Sequence, residues 1–340
     1  MATPAGPSER ELLYRMITGY QATQLVFVAA KLGIADLLAD GPRTAEELAA
    51  RAGVNPDRLY RVLRALASLG VLEEGDARSF ALTPLSETLR TDHPGSLRQM
   101  AIFLGGTSYR SWSELLYGVM TGETPAEKVF GMSTFEYLQE DLEAGAAFDA
   151  TMSVVSRRDV AGVVEAYDFS SARTVVDVGG GHGTLIAGIL RAHPQLRGIL
   201  FDQPNVVAGA QATLEEAGVA DRCERVGGDF FREVPSGGDI YILRSIIHDW
   251  DDAPAIVILG NCARAMGENG KVLLVESVIE GGDAPPAPKM LDVQMLVMTG
   301  GRERTADEFR ELYAGAGLEV RRIIPAGKEA RIVEGVKAEG

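Results

Sequence analysis

Cysteine is nearly missing from this chain: 340 residues hold two, Cys223 and Cys262. Two cysteines without metal-ligand spacing exclude a disulfide framework and a zinc-type cluster, and point to a reducing, cytoplasmic setting. Lysine is scarce as well. Six of the 33 basic residues are lysines, against 48 acidic residues and a formal net charge of −15. Phosphate neutralisation needs clustered cations, so a general nucleic-acid binder is not expected. No apolar run reaches the ~20 residues that span a bilayer. The segment Met1-Ala2-Thr3-Pro4-Ala5-Gly6-Pro7 has no basic stretch followed by an apolar one, so neither a membrane anchor nor a secretory signal is expected. What is present in quantity is apolar residues, at 46%. That is enough for a real core, and the length leaves room for two domains.

Glycine is plentiful, and three glycines fall at alternate positions: Gly179, Gly181 and Gly183. The run Thr174–Val178 before them is apolar and β-branched, the pattern of a strand buried on both faces. Thr184–Leu190 after them opens an apolar-faced helix. A strand–glycine turn–helix lets a ligand approach the backbone and offers it free N–H groups. The spacing is Asp-x-Gly-x-Gly-x-Gly, counted from Asp177, and not the Gly-x-Gly-x-x-Gly of dinucleotide sites. A second apolar strand, Gly198–Phe201, ends in Asp202, placed to accept ribose hydroxyls. A tight turn without a ligand is the bland alternative; the five features together favour a nucleoside site.

Taken in order, residues 1–9 are expected to fray. The stretch from Glu11 to Leu38 reads as helical, broken at Gly33, with Leu12, Met16, Tyr20, Leu25, Val28 and Leu32 near one face. It packs either on its own domain or on a second subunit, and the amount of apolar surface favours the subunit. Thr44 and Glu47 form a capping box, Gly53 ends that helix, and Asn55-Pro56 starts the next, through Leu69. A hairpin over 71–82 follows. Helix, helix, hairpin is a winged-helix pattern. Arg58, Arg61 and Arg64 line one helix face as in a DNA reader, yet residues 42–90 hold seven basic and seven acidic side chains. A solvated face is the commoner meaning. Residues 95–166 read as mostly helical, with breaks at Gly105-Gly106, Gly122–Pro125 and Gly131, and are rich in aromatic residues and Met.

After the glycine turn, strands and helices alternate. Helices are expected at 205–217, 252–266, 288–298 and 305–314, a loop at 281–288, and strands at 223–226, 239–243, 270–278, 319–324 and 331–336. This predicts an α/β fold with a parallel, doubly wound sheet. Asp202, Asp229, Arg244–Trp250 and Glu276 fall at or near strand ends, where such sheets bind ligands. His248 is the natural general base, with a satisfied loop histidine as the bland reading. Glu276 or Glu303 could accept its second ring N–H; equally, Glu303 could cap a helix and Glu276 pair with a surface cation. Phe148, Met152, Asp249, Gln294, Met295 and Met298 are candidates for a flat, apolar substrate pocket. No metal-ligand cluster is visible in the sequence.

Five motifs occur in order: Val-Val-Asp-Val-Gly-Gly-Gly-His-Gly, Phe-Asp-Gln-Pro, Gly-Gly-Asp-Phe-Phe, His-Asp-Trp-Asp-Asp and Gly-Gly-Arg-Glu-Arg-Thr. Together with the N-terminal module, the chain resembles the plant-type (caffeic acid and hydroxyindole) O-methyltransferases and their bacterial natural-product members. The resemblance implies a Rossmann-like, doubly wound methyltransferase sheet at 95–340, with substrate-pocket helices at 95–166. It also implies a winged-helix dimerisation domain at 10–94 and a homodimer. S-adenosyl-L-methionine would be the cofactor, contacted by Gly179, Asp202, Asp229, Phe230 and Arg244, where the family often has Lys. His248 would be the base, flanked by Glu276 and Glu303. The expected activity is methyl transfer to a phenolic hydroxyl of an aromatic small molecule, in natural-product (antibiotic) biosynthesis. N-methylation, or chemistry that retains the cofactor unconsumed, is the alternative on the same fold. A winged-helix regulator that senses a metabolite is the alternative of another class.

Overall fold

The computed structural model describes residues 6–281 and 286–338, the side chains of 157–159 excepted. The chain divides into two compact units, one of residues up to 110 with 141–154, the other of 111–140 with 155 onward. The boundary falls inside the helix Leu142–Ala166.

In the first unit, the opening helix runs Glu9–Lys31. It starts earlier than the expected fraying allows, because Ser8 and Glu11 close a capping box around its first turn. Gly33, left-handed at φ 65°, separates it from the short helix Ile34–Leu37. Leu12, Leu13, Tyr14, Met16, Ile17 and Tyr20 are all exposed. The helices Ala45–Ala52 and Pro56–Ser68 carry the expected caps, Thr44 with Glu47 and Asn55 with Pro at the first position. Their apolar faces bury Leu48, Leu59, Leu63 and Leu66 with Phe80, each such side chain contributing about 1.5–3 kcal/mol. Arg58, Arg61 and Arg64 are exposed. Three short strands, β1 (Arg43–Thr44), β2 (Leu72–Glu74) and β3 (Ser79–Leu82), pair in the order β1-β3-β2. Gly105-Gly106 is not a break. The chain forms a π-helical turn there, Leu104–Ser108, and a Cβ on Gly105 would stand 2.4 Å from Phe27 Cβ. Glycine lets that turn sit against the opening helix.

The second unit is built on β4 (Thr174–Val178), β5 (Arg197–Asp202), β6 (Cys223–Gly227), β7 (Ile240–Arg244), β8 (Lys271–Ile279), β9 (Arg304–Thr305), β10 (Leu318–Pro325) and β11 (Ala330–Lys337). Their order is β10-β11-β8-β7-β4-β5-β6, with β9 beside β8. Alternate residues go to opposite faces and both faces are buried. Val175, Ile240 and Ile242 join one core, while Val176, Tyr241 and Leu243 join the other. That is the doubly wound arrangement. The sheet is mixed rather than wholly parallel: β11 runs antiparallel to both β8 and β10. The turn between β10 and β11 spans only residues 326–329, which suffices for a hairpin and is too short for a parallel crossover.

The helix expected at 205–217 starts at Pro204 and is interrupted by a 3₁₀ turn at Ala208–Ala210. Of the loop expected at 281–288, residues 282–285 lie outside the described residues, and the next helix begins at Pro286. Among the described residues, no helix is long and apolar enough to cross a membrane.

Candidate functional site

The first part of the site is backbone. Gly179, Gly181 and Gly183 have φ of 70°, 57° and 76°, conformations that side chains with a Cβ rarely adopt. Gly179 and Gly180 donate to Phe201 O at 2.8 and 3.3 Å, which ties the turn to the end of β5. Asp202 closes it: its carboxylate accepts from Gly181 N at 2.8 Å and from Gln203 N at 2.6 Å. The helix Thr184–Ala192 begins here at Gly183, which has no side chain to cap it, and the Ile186 N–H in its first turn is directed at Asp177. Asp177, beneath the glycines, is 1% exposed, and its Oδ2 has no partner. Burial pushes its carboxyl up to about 7, against a backbone hydrogen bond from Ile186 and with Asp202 adding to the rise.

The second part is side chain. Three segments converge on His248, which is 9% exposed. Its Nδ1 lies 2.7 Å from Glu303 Oε1 and 3.5 Å from Glu276 Oε2, and its Nε2 lies 3.8 Å from Asp249 Oδ1. Glu276, on β8, accepts from Ile246 N and Ile247 N at 3.1 and 3.0 Å. Glu303 is set by Asp292, whose Oδ1 accepts from its backbone N–H at 2.9 Å. One further oxygen of each glutamate, Oε2, is buried without a hydrogen-bond partner. An ionised carboxylate only accepts, so Nδ1 carries the proton toward Glu303 and Nε2 is the nitrogen left to accept one. Burial disfavours the charged ring, but Glu276, Asp249 and the hydrogen bond to Glu303 outweigh it and push His248 up to about 10. Burial likewise raises Asp249, to about 6, and Glu276, with His248 opposing in both cases. His248, Glu276 and Glu303 also bring three ligand-capable atoms within 4.8 Å of one another, a cluster the sequence does not show. The ring's Nδ1 in it is already engaged by Glu303.

The two parts touch. A Cβ on Gly179 would stand 2.5 Å from Ile246 Cδ1 and 3.7 Å from Phe230 Cε1. Ser245, just before, has φ 52°, a strained conformation of the kind found where a loop is held for a purpose. Arg244 donates to Ser156 Oγ at 2.9 Å. Asp229 accepts from Phe231 N at 2.9 Å. Phe135, Phe230 and Phe231 pack around Trp250, with ring centroids at 5.9, 6.2 and 4.7 Å. Gln294 accepts from the Trp112 indole N–H at 2.6 Å, and Met295 and Met298 are buried. Phe148 and Met152 belong to the first unit, where Phe148 packs edge-on against Phe103 at 5.4 Å.

Sequence reading missed Asp292, Ser245, Trp250 and Arg304. Trp250 and Arg304 had a signal, each inside a motif, His-Asp-Trp-Asp-Asp and Gly-Gly-Arg-Glu-Arg-Thr, and Ser245 lies in the strand-end stretch Arg244–Trp250. Among the described residues, neither glutamate forms an ion pair with Lys or Arg, and Glu303 makes the short contact to His248.

The glycine turn and Asp202 lie at the ends of β4 and β5, and the His248 loop follows the end of β7, an arrangement that suits a nucleoside. The O-methyltransferase domain family matches residues 112–319, and the O-methyltransferase dimerisation domain matches residues 14–92. The phenazine O-methyltransferase PhzM of Lysobacter antibioticus is 50% identical over 323 residues, 95% of each chain. The crystal structure of LaPhzM superposes with a TM-score of 0.94 at 49% identity, covering 98% of this chain and 100% of that one. NcsB1, an O-methyltransferase from neocarzinostatin biosynthesis, crystallised with S-adenosylmethionine and 2-hydroxy-5-methyl naphthoic acid. It superposes with a TM-score of 0.84 at 36% identity, over 93% and 96% of the two chains. The chain belongs to the S-adenosylmethionine-dependent O-methyltransferases with an N-terminal dimerisation domain. S-adenosylmethionine is its cofactor, and the left-handed glycines, the uncapped helix start and Asp202 suit a nucleoside with a polar tail.

Proposed function

We propose that this enzyme methylates a phenolic hydroxyl of an aromatic small molecule in natural-product biosynthesis, with His248 as the general base. The observation that carries the reading is the buried His248–Glu303 contact beside the glycine turn. The cofactor, when bound, supplies a methyl group already activated by a sulfonium. Gly179, Asp202, Asp229, Phe230 and Arg244 are the residues we assign to holding it. The protein's remaining tasks are to align an acceptor oxygen and to take its proton. Gln294, Met295, Met298 and Asp249 are assigned to the acceptor's side. His248 Nε2 receives the phenolic proton, while Glu303, Glu276 and Asp249 stabilise the imidazolium that forms. A phenol loses its proton near pH 10; the surrounding carboxylates raise the ring's own proton affinity toward that range, and the ring acts as the base in its neutral form. Placement supplies most of the rate, and the base adds about 10²–10⁴-fold.

The exposed Leu12, Leu13, Tyr14, Met16, Ile17 and Tyr20 support a homodimer through the N-terminal domain. We read that domain as a winged-helix module over 10–94, with the methyltransferase domain at 95–340. Two buried free cysteines support a cytoplasmic enzyme.

The test is a panel of phenols, with hydroxynaphthoates first, assayed for S-adenosylhomocysteine and O-methylated product. His248→Ala should lose most turnover and keep its affinity for S-adenosylhomocysteine. Full turnover in that variant, or an exclusively N-methylated product, overturns the reading.

A further inference from the structure

The loop that carries His248 is gripped by one guanidinium. Arg304, 1% exposed, heads the fully buried side chains by volume among the described residues. Its Nη1 donates to Ile247 O at 3.2 Å and to Arg302 O at 3.3 Å. Its Nη2 donates to Trp250 O at 2.9 Å and to Asp252 Oδ1 at 2.8 Å, and its Nε donates to the same Asp252 oxygen at 3.0 Å. These partners lie on both sides of His248-Asp249. The same strand-like segment holds the loop at its centre. Arg302 N donates to His248 O at 2.9 Å, and a Cβ on Gly301 would stand 2.1 Å from that oxygen. Glu303, between Arg302 and Arg304, takes the imidazole's Nδ1.

Burying a guanidinium whose carboxylate partner among the described residues, Asp252, is 57% exposed is unfavourable in itself. An apolar side chain of equal volume would fill the space with less penalty. What an apolar side chain cannot do is fix backbone carbonyls at positions 247, 250 and 302 with one rigid, planar fork.

We propose that Arg304 is a positioning residue for the base: it sets the backbone on either side of His248, so that the imidazole stays against Glu303, Glu276 and Asp249. The proposal rests on the reading of His248 as the base. It differs from a plain stability role in what it holds constant, namely the ring's distance to three carboxylates on three segments: β8, the loop before β9 and the His248 loop itself.

The test uses the full chain, labelled with ¹⁵N-histidine. There are four histidines, and His248→Gln assigns the signal of His248. In the wild type, the ring should titrate well above its ordinary 6.5, because Glu276, Asp249 and Glu303 outweigh the burial that opposes its charge. Arg304→Lys keeps the charge but cannot span the carbonyls. Its His248 midpoint should fall by about one pH unit or more, with unchanged affinity for S-adenosylhomocysteine by calorimetry. Asp252→Asn, at the exposed end of the grip, should shift the midpoint the same way by less, and it decides the matter if the lysine variant does not fold. Wild-type midpoints in the folded variants overturn the proposal, and so does a wild-type ring that titrates near 6.5. Failure of the base reading looks different: His248→Gln would then keep wild-type turnover on the phenol panel, whatever Arg304→Lys does to the ring.

Discussion

The glycine turn and the His248 pocket meet at Gly179 and Ile246, yet they are built in opposite ways. The turn is made of backbone: left-handed glycines, main-chain hydrogen bonds to Phe201 and one acid at a strand end. Its geometry is local, lying within β4, the turn and the end of β5. The pocket is made of charge. An imidazole and two glutamates from separate segments are buried together, with the half-buried Asp249 beside the ring and two glutamate oxygens lacking a hydrogen-bond partner. Such an arrangement would be destabilising unless something held it, and its holders are Asp292, Arg304 and the Ile246 and Ile247 amides. The contrast teaches that cofactor binding and proton removal depend on different physics, so they should fail separately.

The sharpest way to separate them is at Gly301. An alanine there pushes on His248 O, and a displacement of the base by about 1 Å costs ~10²-fold in turnover. Affinity for S-adenosylhomocysteine, read by calorimetry, should survive; joint loss of both would break the contrast. Gly179→Ala should do the converse. A Cβ at 2.5 Å from Ile246 Cδ1 with φ 70° implies about 1–3 kcal/mol of overpacking, read as S-adenosylhomocysteine affinity weakened about tenfold or more.

Glu276→Gln sharpens the pocket side. Its charge helps hold His248 up at about 10, so its loss moves the rising limb of the kcat/KM profile, set by deprotonation of the base, toward lower pH by about one unit. Stability follows the same sign. A ring raised above its unfolded value of about 6.5 stabilises the fold fully below that pH, and the contribution is lost as pH rises through about 10. The stability gap between wild type and His248→Gln in urea unfolding should therefore be widest near the acid end of that window and close toward its alkaline end. The smallest effect belongs to Arg61→Ala, on an exposed face outside both regions. It should change stability by less than about 0.5 kcal/mol and leave both binding and turnover alone; a measurable fall in activity would mean that the arginine face is more than solvated.

The sequence by itself determined the glycine turn, the caps at Thr44 and Asn55, and the two-faced burial of the central strands. Each is set by neighbours within a few residues: a missing Cβ, a side chain that reaches back three positions, an alternation of period two. Tertiary structure alone decided that Glu303 rather than Glu276 makes the short contact to the imidazole, that β11 pairs with β8, that Gly105-Gly106 lies in a π-helical turn against the opening helix, and that Arg304 grips the loop. Those outcomes depend on which distant segments a buried charge or a close backbone approach can reach, and spacing along the chain carries no record of that distance.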